Sequence, residues 1–357
     1  MKILAICSSP KGGGKSNTEL LLNHLAIGMR EAGGKVRIVN LREKTVKTCL
    51  GCFNCWTKTP GRCIQEDDMT RELLPLIPAS DLVVYATPLY NRTMNATMSN
   101  FRERQLPLLQ PFSEKRDEKY ARMLRRKLPP VVWLSVCGHP QESEFEALSQ
   151  FLNSTQHPDI PIVAEIYRTS AEALKHPVFK QNLRDILDAT AQAGRELVQS
   201  LEISKETLER IKQPLNNPQG LVIIGNFMWR TCINEHVTLE EFFKQGMKPR
   251  PDSLEGFMEI SKYGLNTEVA KVKKVIVQFR FTGEVEASCY FTIENGTIKS
   301  TIGTSDSYDI AIETPFELWM DIMTGKADGG EMFMQRKYQV DGDPAMMLTL
   351  FKANATR

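Results

Sequence analysis

The sequence predicts a doubly wound α/β domain followed by a smaller α+β domain. Three observations carry this. Fully apolar, β-branched runs alternate with helix-spaced segments up to about residue 215, a glycine-rich loop follows the first run, and beyond residue 255 strand-like runs precede helical ones. Strands separated by helices pair in parallel, with right-handed crossovers that place helices on both faces of one sheet.

The elements follow in order. KILAIC is a buried strand, SPKGGGKSNT a loop, and ELLLNHLAIGMREAGG a helix stopping at Gly33 and Gly34. KVRIVNL is the second strand, and EDDMTRELLPLIPA a short helix after a cysteine-rich segment. DLVVYATPLYN, PPVVWLSVCGH and IPIVAEIYR are the third to fifth strands. TMSNFRERQL, QESEFEALSQFL and VFKQNLRDILDATAQAGRELV read as the intervening and closing helices. Residues 1–215 thus form the first domain, with five parallel strands. Residues 216–254 show no sustained periodicity and read as a connector. In 255–357, VKKVIVQFRFTG, ASCYFTIENGTIKSTIG and YDIAIETP are strands, Asn295-Gly296 marking a hairpin. PFELWMDIMTGKADGGEMFMQRKYQVDGD and PAMMLTLFK read as terminal helices.

Composition narrows the function. The chain has 357 residues, 41% of them hydrophobic and 25% charged, enough to bury a core without disulfides. A formal charge of +2 gives no global attraction to nucleic acid. No apolar run reaches the roughly 20 residues of a membrane span, and no signal-peptide core is present, so a cytoplasmic location is expected. Thiols stay reduced there, so clustered cysteines point to metal or redox chemistry.

SSPKGGGKSNT lies between a strand and a helix start, where N–H groups and the helix dipole attract an anion. Ser9, Ser16 and Thr18 offer hydroxyls, and Lys11 or Lys15 charge. Neither the P-loop nor the dinucleotide pattern is met, which leaves a mononucleotide phosphate. Doubly wound sheets bind ligands beyond the carboxyl ends of their strands, and the flavodoxin-like version holds FMN there. The loops at that edge are SPKGGGKSNT, TPLYNRT and CGHPQES.

Cys49, Cys52, Cys55 and Cys63 are spaced C-x2-C-x2-C-x7-C. Three ligands at successive i+3 positions wrap one point, as in ferredoxin-type clusters. Structural zinc usually takes two C-x2-C knuckles a dozen or more residues apart. The spacing favours a cluster, leaving zinc or unliganded thiols as alternatives. Cys7, Cys137, Cys232 and Cys289 are scattered and read as small buried hydrophobes.

SSPKGGGKSNTELLL, the cysteine segment with EDDM after it, and ATPLYN together resemble the iron-sulfur flavoprotein branch of the NADPH-dependent FMN reductase family. The likeness covers roughly residues 1–210. It implies a flavodoxin-like fold, with the FMN phosphate on Ser9, Lys11, Ser16, Asn17 and Thr18. Pro88, Leu89, Tyr90 and Asn91 would border the isoalloxazine, and Cys137, Gly138 and His139 would form the third loop. It further implies a [4Fe-4S] cluster on Cys49, Cys52, Cys55 and Cys63. NAD(P)H or reduced ferredoxin would supply electrons, and the chain would form a homodimer or homotetramer. FMN converts an electron pair into single electrons, and a cluster carries one at a time.

From about residue 255 the chain resembles the sterol-carrier-protein type 2 domain, implying an apolar tunnel for a lipid. Trp319, Met320, Met323, Met332, Phe333, Met334, Met346 and Met347 are a dense set of adaptable apolar side chains, which suits either such a ligand or an ordinary core. KRDEKYARMLRRK, residues 115–127, has seven basic side chains against two acidic and reads as a solvated helix face. The sharper alternative is a site for an acidic partner or for the NADPH phosphate. Another class of function is a lipid-binding or scaffolding protein whose flavodoxin-like half lacks its cofactor. The intact phosphate loop and four thiols argue against that class.

Overall fold

The structure is a computed structural model and describes residues 1–116, 119–176, 179–215, 217–270 and 273–351. The chain divides into two units, Met1–Leu215 and Asn216–Arg357.

The first unit is built on β1 (Lys2–Cys7), α1 (Asn17–Glu31), β2 (Lys35–Asn40), α2 (Leu74–Leu76) and β3 (Leu82–Tyr90). It continues through β4 (Thr93–Met94), α3 (Ala96–Glu103), β5 (Leu109–Arg116), β6 (Lys119–Leu124) and β7 (Val131–Val136). It closes with α4 (Glu146–Thr155), β8 (Ile162–Arg168), α5 (Lys180–Ser200) and α6 (Lys205–Lys212). The main sheet runs β2-β1-β3-β7-β8, all parallel, with the two-residue β4 appended to β3. This is the flavodoxin-like order, whose direction reverses between β1 and β3. Burial follows position: every residue of β7 is buried, whereas β2 at the edge alternates. One face packs Leu4, Val83 and Trp133 against Phe101, Leu148 and Leu152 from α3 and α4.

The second unit adds α7 (Pro218–Asn234), α8 (Leu239–Lys244), α9 (Leu254–Gly264), β9 (Val275–Thr282), β10 (Ala287–Glu294), β11 (Thr297–Ile302) and β12 (Ile310–Pro315). α10 (Phe316–Thr324), α11 (Gly329–Met334), β13 (Gln339–Gly342) and α12 (Pro344–Leu350) complete it. Its sheet runs β11-β10-β9-β12-β13, antiparallel except for β9 beside β12. Phe257 meets Phe279, Phe281 and Phe291 edge to face in its core, at 4.9–5.7 Å between centroids, and Phe279 stacks on Phe281 at 5.5 Å. Asn295 and Gly296 both have positive φ, as the β10–β11 hairpin requires.

Three expectations are corrected. Residues 216–254 contain α7 and α8, and α7 conceals its period because apolar residues surround it: Phe227 is buried while Trp229 and Ile233 are exposed. The basic run is a two-stranded antiparallel ribbon, β5–β6, rather than a helix face; its Asp117 and Glu118 lie outside the described residues. Residues 339–342 form an edge strand on β12 where the sequence reads as helix. Of the methionine-rich set, Trp319 and Met320 are buried in the core, with Met323, Met332, Met346 and Met347 packed against it. Phe333 and Met334 are exposed.

Candidate functional site

Parallel pairing brings Cys7 opposite Ala86, and Pro88 opposite Val136, so the loops after β1, β3 and β7 leave the sheet at one edge. In the first loop Gly13 and Gly14 have positive φ, and a Cβ on either would meet open space. Ser16 caps α1, its Oγ accepting from Glu19 N–H at 3.0 Å and donating to Ser9 Oγ at 2.8 Å. Ser9, Ser16 and Thr18 are buried, Asn17 half-buried and Lys11 exposed. The first N–H groups of a helix have no acceptor within it, and Asn17 Oδ1 is buried without a partner among the described residues. Hydroxyls and free helix-start N–H groups at a positive helix end are donors that suit a phosphate monoester.

In the second loop Pro88 is buried, Leu89 half-buried and Tyr90 exposed. Asn91 and Arg92, both with positive φ, turn the chain back so that Thr93 pairs with Tyr90. In the third loop the Cys137 thiol donates to His139 O at 3.3 Å, and burial pushes its pKa up to about 12, which keeps it protonated. A Cβ on Gly138 would meet the Glu172 carboxylate at 2.5 Å, a flexible side-chain end that can move aside. His139 is exposed, its Nδ1 3.6 Å from Glu144 Oε1, and Arg92 reaches the same carboxylate at 3.3 Å, tying the second loop to the third. Cys7, Cys232 and Cys289 are buried, like Cys137.

Further residues at this edge carry weak sequence signals. Asn95, 4% exposed, caps α3 and donates Nδ2 to Ser8 O at 2.7 Å, joining the first two loops. A polar residue before a helical run is a capping signal, but its second partner is remote in sequence. Arg42, held by Glu19 at 2.9 Å, lies against Gly12 and donates to Lys11 O. Lys175 Nζ donates to Gly14 O at 2.6 Å.

The cysteine segment folds on itself, Gly61 N–H reaching Cys55 O at 2.9 Å and Thr59 N–H reaching Asn54 O at 2.8 Å. It is fastened outward by Trp56 Nε1 donating to Leu106 O and Arg125 donating to Cys55 O, with Arg122 over the Trp56 ring. Cys49, Cys52, Cys55 and Cys63 all line one hollow that opens to solvent, with Arg104 in its wall. Burial, then the charges of Cys63, Cys49 and Cys52, raises the Cys55 pKa. Hydrogen bonding at Asn54 lowers that of exposed Cys52. Among the described residues no three His, Cys, Asp or Glu side chains close up as the ligands of a single metal ion. Four thiolates on one zinc would lie about 4 Å apart, at Zn–S of about 2.3 Å. Four soft donors around a hollow fit a larger inorganic group. The hollow lies at the carboxyl end of α3 and the three loops at its amino end, about 12 Å apart by helical rise.

The model of the NADPH-dependent FMN reductase family matches residues 1–125, and that of the SCP-2 sterol transfer family matches residues 257–353. The chain joins an FMN-reductase-like domain to an SCP-2-like domain. An iron-sulfur flavoprotein of Archaeoglobus fulgidus is 36% identical over 107 residues, 30% of this chain and 46% of that protein. One from Methanocaldococcus jannaschii is 30% identical over 108 residues, 30% of this chain and 53% of that protein. The chain thus spans about half the length of the curated relatives it matches. Among solved structures, the NAD(P)H:quinone oxidoreductase of Methanothermobacter marburgensis aligns with a TM-score of 0.42 at 16% identity, covering 55% of this chain and 96% of that one.

Proposed function

We propose that the protein is an FMN-dependent oxidoreductase of the iron-sulfur flavoprotein type, passing electrons from NAD(P)H or a reduced ferredoxin to an acceptor. The observation that carries the reading is the meeting of three loops at the strand-order switch point, one of them running into the capped start of α1. Ser9, Lys11, Ser16, Asn17 and Thr18 hold the FMN phosphate. Pro88, Leu89, Tyr90 and Asn91 border the isoalloxazine, with Cys137, Gly138 and His139 closing the third side. Cys49, Cys52, Cys55 and Cys63 hold a [4Fe-4S] cluster. Bound together, the two groups let a two-electron donor serve a one-electron partner. Tyr90, exposed beside the turn, offers an aromatic face to the flavin, and His139 and Arg92 present polar edges to an entering substrate. The protein works in the cytoplasm as a homodimer or homotetramer, and the SCP-2-like domain carries a lipid-like molecule. Trp319 Nε1, buried in its core and without a partner among the described residues, supports a ligand acceptor there.

Purification without oxygen, followed by a visible spectrum and by flavin, iron and zinc assays, tests the reading. Yellow-brown protein containing FMN and iron, and bleached by NADH or NADPH, is expected. Colourless, iron-free protein that takes up no added FMN overturns it, and zinc in place of iron removes the cluster. Organic extraction and mass spectrometry identify any lipid.

A further inference from the structure

Arg104 is 1% exposed, and its guanidinium is held from several directions. Nη1 donates to Lys47 O and Asp67 Oδ2, each at 2.6 Å. Nη2 donates to Asp67 Oδ1 at 3.1 Å, to Thr70 Oγ1 at 3.3 Å and to Cys63 Sγ at 3.5 Å. The Asp67 side chain is fully buried and also accepts from Lys47 and Thr70 N–H. Burial pushes the Asp67 carboxyl up, but these donors outweigh it and hold it ionised. The pair is therefore a locked, charge-balanced fork, and a buried pair of this kind is a poor device for stability alone. Arg104 lines the hollow and one of its arms meets a cysteine sulfur there, while its buried Nε has no partner among the described residues.

We infer that Arg104, locked by Asp67, is a positioning residue that orients Cys63 and raises the reduction potential of the cluster on the four cysteines. The inference rests on the cluster reading above. One-electron reduction adds a negative charge shared with the ligand sulfurs, and hydrogen bonds to those sulfurs favour the reduced form. Because Asp67 cancels the net charge of the guanidinium, the effect is that of a fixed N–H dipole at Cys63, local to one side of the hollow. It leaves the flavin at the far end of α3 untouched.

The test is a potentiometric titration of the full chain, reconstituted anaerobically with FMN and iron and followed by EPR. Arg104→Met is expected to keep its FMN and its flavin potential while the cluster becomes roughly tenfold harder to reduce, about 59 mV for one electron. Arg104→Lys, which restores a donor without the fork, is expected to recover part of the loss. A fully loaded Arg104→Met with the wild-type cluster potential overturns the inference and leaves the cluster reading standing. Wild-type protein that binds no iron overturns both. Should Arg104→Met fail to fold, 15N-arginine-labelled protein carrying Arg125→Ala decides: pulsed EPR of the reduced cluster shows nitrogen-15 coupling if the inference holds, and none overturns it.

Discussion

Asn95 connects three elements through one amide: its Oδ1 accepts from Met98 N–H at the start of α3, its Nδ2 donates to Ser8 O after β1, and its backbone N–H reaches Thr87 Oγ1 in β3. Asn95→Ala removes a cap and leaves Ser8 O unsatisfied, so a loss of about 2 kcal/mol is expected in urea unfolding. FMN affinity, read by quenching of flavin fluorescence, should fall with it, because Ser8 and Ser9 lose their fixed position. Asp309 plays a comparable part in the second unit. Burial raises its pKa, but hydrogen bonds from Lys273 at 2.8 Å and Ile276 N–H at 2.9 Å win and hold the carboxylate below its ordinary value. A depressed folded pKa gives stability that is complete above the unfolded value of about 4 and is lost as pH falls through the folded one. Asp309→Asn should therefore cost about 1 kcal/mol at pH 7, Lys273 being too exposed to add much. The gap in melting temperature should close on acidification; a gap that widens would contradict this. Such residues stay hidden in a sequence because their partners are remote: Ser8 is 87 positions from Asn95.

At the scale of elements, legibility depends on whether local chemistry and final surroundings agree. β1, β3 and β7 are buried on both faces, and their sequences are continuously apolar, so the parallel sheet and its loop edge could be read directly. The β5–β6 ribbon could not: it is a hairpin of charged residues whose orienting contacts, Arg122 on Trp56 and Arg125 on Cys55 O, come from a segment some seventy positions away. Arg125→Ala should loosen the cysteine segment, and alkylation of buried Cys55 in metal-free protein, followed by mass spectrometry, should quicken several-fold. The α1–α5 contact shows the same dependence on remote context. A Cβ on Gly28 would stand 1.7 Å from Ala191 O, and one on Gly194 2.1 Å from Leu25 O, so the two backbones touch through glycine. Neither glycine breaks the helical pattern, and nothing local marks it as special. Gly28→Ala should destabilise the first unit by about 1–3 kcal/mol, seen as a lower thermal midpoint, because the clash is with backbone that cannot step aside.

At the scale of the molecule, each of the two units has its own sheet and its own hydrophobic cluster, one around Leu4, Val83 and Trp133 and one around Phe257, Phe279 and Trp319. Each is of ordinary domain size, and a domain with its own core can fold alone. The three loops at the sheet edge, the cysteine hollow and the Arg104–Asp67 pair all lie within Met1–Leu215, whereas the aromatic core with Phe257, Phe279 and Trp319 lies within Asn216–Arg357. The flavin chemistry should therefore be separable from whatever the SCP-2-like unit binds. Expressed alone, residues 1–215 should be soluble, take up FMN with the affinity of the full chain to within about threefold, and melt in a single transition. Residues 216–357 should fold without flavin, giving the near-ultraviolet dichroism of a packed aromatic core. If the first fragment is colourless or insoluble while the full chain is yellow, the second unit is part of the flavin site rather than an independent passenger. Equal FMN affinity with an altered rate of electron transfer would instead place its influence on the acceptor side.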